Sequence, residues 1–424
     1  MEILIVILAC LTCIIASFVI NKRYMTPVII FTILWLIISV FSYIRLYGLY
    51  ETSYTTYMII ALGVVSFAVG AGVQGVFNEN KKRKKISYKY NNHITEIAVI
   101  LSILYYSYIL IIIFRNVGSL DLYSIQQYNR KMDMETLVSL SSVRLFGSFI
   151  AGPVSTLCPM IAIAELFTKR VSNRFIIESG ILIFIKMLAT GSRSTILFIF
   201  VYGLIAYAMN QRRPVSTLIR KKIGNINIGI LAILLVIVIL FTATTMSRNM
   251  QIWKSLYLDL AIPPIMFERW SELSGVLGGF AYGKASLSGF FFVVLYPVQL
   301  LFGLQALPMG FQEIYDLINL TVSNWIVVGT GVPANAYVSL FWYFWIDLGV
   351  GGIILGSCFF GFWCNSCYKS YFEKHDMHSM TLCLLMFSTI IFSFVRIQFA
   401  LPNYALMIIL IDFIIFRPCL QTIK

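Results

Sequence analysis

Three arginines stand where apolar runs meet polar segments. Arg193 follows Thr190-Gly191-Ser192 and opens one run, Arg248 closes the run ending Thr244-Thr245-Met246-Ser247, and Arg396 closes another ahead of Ile397-Gln398-Phe399. A guanidinium is a planar fork of donors that binds phosphate oxygens in pairs, each charge-assisted bond being worth about 1.5–3 kcal/mol. One arginine at a helix end is readily explained as a side chain snorkelling to headgroups. Three on separate helices suit an anion with many oxygens, and a pyrophosphate-linked lipid meets that demand. Lys186 lies inside a run, seven residues before Arg193 and four before Thr190, so the three share one helix face. A cation at that depth costs at least about 2.5 kcal/mol and normally faces a polar interior. Asp347 raises the same issue in a later run, and the two are expected to pair across the bundle interior.

The elements that must position these groups follow from composition. The chain has 424 residues, 59% hydrophobic and 12% charged, with a mean hydropathy of +0.86. Soluble domains are about a quarter charged, so a water-soluble globule is excluded. A β-barrel is excluded too, because barrels alternate over about ten residues and do not carry unbroken apolar blocks. Eleven runs are candidate spans: 3–20, 27–47, 56–77, 94–114, 140–167, 175–189, 194–209, 226–246, 335–362, 380–395 and 401–416. The sequence predicts an all-α polytopic membrane protein of 11 to 12 transmembrane helices, one transmembrane domain over residues 1–424.

Placing Lys81-Lys82-Arg83-Lys84-Lys85 inside and alternating from there makes every inner loop basic. Lys22, Arg23, Lys89, Lys169, Arg170, Arg174, Arg212, Arg213, Arg220, Lys221, Lys222, Lys369, Lys374, Arg417 and Lys424 all fall inside. The formal net charge of +14 is therefore mostly an orientation signal, not a surface for nucleic acid. The N-terminus is expected outside and the C-terminus inside. The first run begins Met1-Glu2 without a basic lead and ends at Asn21-Lys22-Arg23, which reads as an uncleaved helix. Arg193, Arg248 and Arg396 then lie at the outer boundary.

Two outer segments interrupt the regular hairpins. Residues 115–139 are polar, with a spacing that suits a short surface helix. Residues 247–334 form one large outer loop whose apolar stretch 287–304 is expected to be re-entrant, interfacial or one arm of a pair. The outer carboxylates are Asp259, Glu268, Glu272, Glu313 and Asp316. Glu268 and Glu272 sit at i, i+4 around Arg269 and Trp270, a sugar-facing helix turn or a solvated one. The eight cysteines read as small buried hydrophobes; Cys10-x-x-Cys13 and Cys364-x-x-Cys367 each lack a second ligand pair. His93, His375 and His378 fall on the inner side, the last two in an expected solvated loop. Outer-face chemistry would proceed without histidine.

The chain resembles the Wzy-type O-antigen polymerases, or oligosaccharide repeat unit polymerases. The resemblance rests on Ala189-Thr190-Gly191-Ser192-Arg193-Ser194, on Tyr282-Gly283-Lys284-Ala285-Ser286 in the large loop, and on Asn335-Ala336-Tyr337 followed by Asp347-Leu348-Gly349-Val350-Gly351-Gly352. It implies a glycosyltransferase C-like membrane enzyme, with no metal and no cofactor, on the outer (periplasmic) face of the bacterial cytoplasmic membrane. Such enzymes transfer a glycan from undecaprenyl pyrophosphate to the non-reducing end of another lipid-linked repeat unit, within the membrane lipid. Chain length is expected to be set by a partner protein. On this resemblance Arg193 and Arg248, with Glu268 and Glu272, are the expected catalytic residues. Arg193, Arg248, Arg396, Lys186, Arg269, Lys284, Asn335, Tyr337 and Asp347 are expected to hold pyrophosphate and substrate. A repeat-unit flippase should show two comparable halves and a deep cationic cavity, and an O-antigen ligase an outer histidine; neither pattern is present.

Overall fold

A computed structural model describes residues 2–21, 25–78, 86–118, 124, 125, 128, 141–168, 173–191, 194–210, 252–273 and 279–420. They are predominantly helical. Among the described residues seven segments are long and apolar enough to cross a membrane, by length and composition: Ile3–Ile20, Pro27–Ile44, Tyr54–Val73, Asn92–Val117, Ser142–Phe167, Ser339–Lys374 and Met377–Phe394. The chain is an all-α polytopic membrane protein. Of the other expected spans, 226–246 lies outside the described residues. The runs at 194–209 and 401–416 give shorter apolar helices, and the one at 175–189 lies in a helix carrying Arg174, Glu178 and Lys186. Most of 115–139 also lies outside the described residues.

In chain order the elements are α1 (Glu2–Asn21), α2 (Pro27–Ile44), α3 (Tyr54–Asn78), β1 (Ile86–Tyr90) and α4 (Asn92–Val117). Then come α5 (Ser141–Phe146), a π turn Gly147–Ala151, α6 (Gly152–Phe167), α7 (Asn173–Thr190) and α8 (Ser194–Asn210). The large loop holds α9 (Ile252–Ala261), α10 (Pro263–Leu273), α11 (Ser288–Phe302), α12 (Phe311–Ser323) and the hairpin β2 (Ile326–Gly329) and β3 (Val332–Ala334). The chain ends with α13 (Ser339–Lys374), α14 (Met377–Ile391), α15 (Pro402–Ile409) and β4 (Phe416–Leu420). At 15 residues α11 is about 22 Å long, short of a hydrocarbon core of roughly 30 Å.

The described chain forms two compact units. The first comprises 1–85, 251–375 and 385–406. Its helices start and stop on local signals: Thr26 accepts from the Ile29 amide at 3.2 Å with Pro27 in the first turn, and Arg45 closes α2 in a left-handed conformation. Glycines let α3 and α13 touch backbone to backbone. A Cβ on Gly70 would lie 1.9 Å from the Cys358 carbonyl oxygen, and one on Gly361 would lie 2.0 Å from that of Phe67. Around this crossing Phe31, Trp35, Phe67, Phe341 and Phe360 interlock, with Phe31 and Phe67 stacked at 4.1 Å. The Trp35 indole donates to Ser393 Oγ at 3.2 Å, satisfying its one polar atom.

Three segments separated in sequence meet at one end of this unit. Tyr50 N donates to Val328 O at 3.0 Å, Thr330 N to Gly48 O at 2.8 Å, and Ser339 N to Val395 O at 3.1 Å. Residues 48–50 are therefore tied to the β2–β3 hairpin, and the start of α13 to Val395.

The second unit comprises 86–250, 376–384 and 407–424. Here α4 packs on α7 and against the π turn, where Gly147 leaves room for the Tyr105 hydroxyl. The antiparallel pair β1 and β4 sets Lys89 opposite Arg417, two residues expected together on the inner side. His378 corrects one expectation. It is not solvated but 5% exposed, bonded through Nε2 to Asp412 Oδ1 at 2.8 Å and stacked under Tyr88 at 3.7 Å. The π turn Leu410–Ile415 carries Asp412, and that one extra residue per turn was invisible to a helical reading.

Candidate functional site

At the shared end of the first unit, one carboxylate, one phenol and one guanidinium are held by separate elements. Asp259 comes from α9, which stops at the Pro263-Pro264 corner before α10. Tyr337 sits in the connector between β3 and α13, where Ala336 (φ 68) and Ser339 (φ 66) are both left-handed, a costly conformation for residues with a Cβ. The connector is held by Ala336 N donating to Thr321 O at 2.7 Å, by the Ser339 to Val395 bond, and by the Tyr337 ring stacked on Phe394. So fixed, the Tyr337 hydroxyl donates to Asp259 Oδ1 at 2.8 Å.

Burial pushes the Asp259 carboxyl above its ordinary range, and the bond from Tyr337 partly opposes that rise. Burial likewise raises Tyr337, as do the Asp259 charge and the hydrogen bond to it, while Arg396 acts in the opposite direction. The Arg396 charge thus reaches the phenol of Tyr337, and it also reaches that of Tyr343 in α13. Among the described residues no carboxylate lies within ion-pair distance of Arg396. The arrangement offers a partly desolvated carboxylate, a donor that orients it, and a cation with no carboxylate at ion-pair distance among the described residues.

Asp347 does different work. The sequence treats 335–362 as one continuous span, but α13 breaks immediately after Asp347, at Leu348 (φ −155, ψ 25) and Gly349 (φ 59, ψ −137). Gly349 occupies backbone space that residues with a side chain avoid. The chain then folds back so closely that a Cβ on Gly352 would lie 1.9 Å from the Phe344 carbonyl oxygen, and one on Gly356 would enter the Phe344 ring. The broken end leaves carbonyls without helical donors. Ala281 N donates to Ile346 O and Tyr282 N to Asp347 O, both at 3.0 Å. The carboxylate itself accepts from Ala285 N at 2.9 Å and Ser286 N at 3.0 Å. Two motifs about sixty residues apart, 282–286 and 347–352, are therefore one structural joint. Lys284 in the same turn donates to Met309 O at 2.8 Å.

Lys186 donates to Thr156 Oγ1 at 3.2 Å in the second unit. It and Asp347 belong to different units, and each has a partner within its own.

The two carboxylates of α10 diverge. Glu268 Oε2 accepts from Ser53 N at 2.9 Å and from the Thr56 hydroxyl at 3.3 Å, capping the start of α3. Glu272 is exposed and pairs with Arg269 at 3.5 Å. Glu268→Ala should lower the thermal midpoint of the purified chain, the lost cap being worth about 1–2 kcal/mol; an unchanged midpoint would mean that the cap carries no stability. Asn335 donates to Val322 O and fastens the strained connector. Arg193 and Arg248 lie outside the described residues.

The sequence places Asp259 among five outer carboxylates but singles out Glu268 and Glu272 instead. The signal for Asp259 was a lone carboxylate in an apolar helix segment, Leu258-Asp259-Leu260-Ala261, ahead of two prolines. Among the described residues no group of three or more His, Cys, Asp or Glu could hold a metal ion. Compared with family models, with curated proteins and with solved structures, the chain matches none.

Proposed function

We propose that the chain is a membrane glycosyltransferase that polymerises lipid-linked oligosaccharide repeat units, using an undecaprenyl-pyrophosphate-linked glycan as donor. The carrying observation is the Asp259 carboxylate oriented by Tyr337, a phenol that the charge of Arg396 also reaches, Arg396 having no carboxylate partner among the described residues. In this reading the acceptor sugar hydroxyl gives its proton to Asp259 Oδ2, the oxygen that Tyr337 does not bond. Its oxygen forms the new bond to the donor's anomeric carbon. The bond from that carbon to pyrophosphate breaks, and its electron pair leaves on a phosphate oxygen. Arg396 meets the growing negative charge, joined in this proposal by Arg193 and Arg248. A positioned base typically contributes about 10²- to 10⁴-fold in rate. The proposed setting is the outer face of a bacterial cytoplasmic membrane, with a separate protein setting chain length. Asp347 and Glu268 support the framework in this scheme and do not touch substrate.

Deletion in the strain that carries the chain tests this reading. Loss of a polymerase should leave surface core carrying single repeat units. Loss of all attached repeats would identify a ligase instead, and repeats trapped inside would identify a flippase.

A further inference from the structure

The loop between α2 and α3 is built with more strain than a connector needs. Arg45 (φ 56), Tyr47 (φ 63) and Gly48 (φ 76) are left-handed within four residues, and two of them carry side chains. The strain persists because the loop is pinned from both sides. Leu49 bridges to Gly329, the 48 and 50 backbones bond to Thr330 and Val328, and Leu46 N donates to the Tyr257 hydroxyl at 2.9 Å. Gly329 leaves no space for a Cβ against the Gly48 carbonyl, at 2.6 Å.

What the pinned loop presents is two half-exposed rings flanked by charge. The Lys254 ammonium lies 5.3 Å from the centre of the Tyr47 ring, and the Arg269 guanidinium 6.0 Å from that of Tyr50. Arg269 pairs with Glu272 at 3.5 Å, and Arg45 with Glu51 at 3.1 Å. Glu51 and Glu272 are 68% and 62% exposed, so both carboxylates have acceptor capacity to spare.

A pyranose offers a C–H face that packs on an aromatic ring and a rim of hydroxyls that exchange hydrogen bonds with charged side chains. Tyrosine supplies such a face at small entropy cost, more so on a rigid loop. We infer that Tyr47 and Tyr50, with Arg269, Glu51 and Glu272 at their edges, form a glycan-binding surface for the acceptor or growing chain. This rests on the function proposed above. An interfacial aromatic belt is the competing occupant, with lipid headgroups around the rings. It needs no strained loop.

The test uses the full chain in phosphatidylcholine nanodiscs, titrated with glycan released from lipid by mild acid from the strain that carries it, with saturation-transfer NMR as the readout. Tyr47→Ala with Tyr50→Ala should weaken glycan binding at least tenfold, and the Trp pair at the same positions should retain it. Monodispersity on gel filtration guards against misfolding, and the Trp pair provides a folded comparison if the Ala pair fails. Undiminished binding by the Ala pair, or no binding by the wild type, overturns the surface. So does an Ala pair whose only defect is lower stability in bilayers, the mark of a lipid belt. A wild type that extends lipid-linked units while the Ala pair binds glycan normally sinks the surface and leaves the function standing. A wild type that binds glycan through these tyrosines yet never extends it does the reverse.

Discussion

Asp259→Asn is expected to reduce glycosyl transfer by about 10²- to 10⁴-fold while leaving donor binding within a few-fold of wild type. Asparagine preserves the size of the side chain and can still accept the Tyr337 hydroxyl, but it cannot take a proton from the acceptor sugar. Residual activity near the wild-type rate would remove Asp259 from the chemistry. The pH dependence gives a second, signed check. The base is active when ionised, and burial raises its carboxyl, so the acid limb of kcat/KM should lie above the ordinary aspartate range, about 3.9. The Tyr337 bond opposes that rise by favouring the ionised form. Tyr337→Phe removes it, so the acid limb should move to still higher pH, together with a loss in rate. Movement to lower pH would contradict the assignment, because a merely structural tyrosine has no reason to hold the carboxylate ionised.

Arg396→Ala should cut kcat/KM for the lipid-linked donor by about 10²-fold, the usual consequence of removing one donor aimed at developing negative charge. Arg396→Lys keeps the charge but not the planar fork, and should recover only part of the loss. The absence of a counter-ion among the described residues makes this effect sharp. A guanidinium already neutralised by a carboxylate would have little left for pyrophosphate, whereas the described surroundings of Arg396 contain two phenols and no carboxylate at ion-pair distance. Equal activity of the alanine and wild-type proteins, measured by release of polyprenyl pyrophosphate, would place Arg396 among the snorkelling arginines instead.

The membrane class was legible in the apolar runs, because a span long enough to cross needs only length and low charge. The charge alternation puts 48–55, the large loop and Arg396 on one side of the membrane, an expectation of electrostatic topology; the backbone bonds from 48 and 50 to 328 and 330 depend on no residue pattern. The place of Asp259 was not legible. Of five outer carboxylates the helical spacing favours Glu268 and Glu272, whereas what distinguishes Asp259 is a bond to Tyr337, 78 residues away. Glu268 and Glu272 satisfied a helical spacing rule, yet α10 turns one onto the Ser53 amide and the other to solvent. Asp347 was read by depth along an unbroken helix; the glycines at 349, 351 and 352 were the warning that the helix ends there. Its partner set is made of backbone amides, which no residue pattern reports. His378 failed for a related reason, since the π turn that delivers Asp412 changes the helical register locally.

The central claim is glycosyl transfer between lipid-linked glycans, and a reconstituted system tests it most directly. Purified chain in liposomes containing the lipid-linked repeat unit should produce a ladder of lipid-linked oligomers spaced by one repeat. One polyprenyl pyrophosphate should be released per step, and Asp259→Asn and Arg396→Ala should suppress both signals. Repeat units that cross the bilayer without growing in length, or oligomers that form equally with both variants, would contradict it.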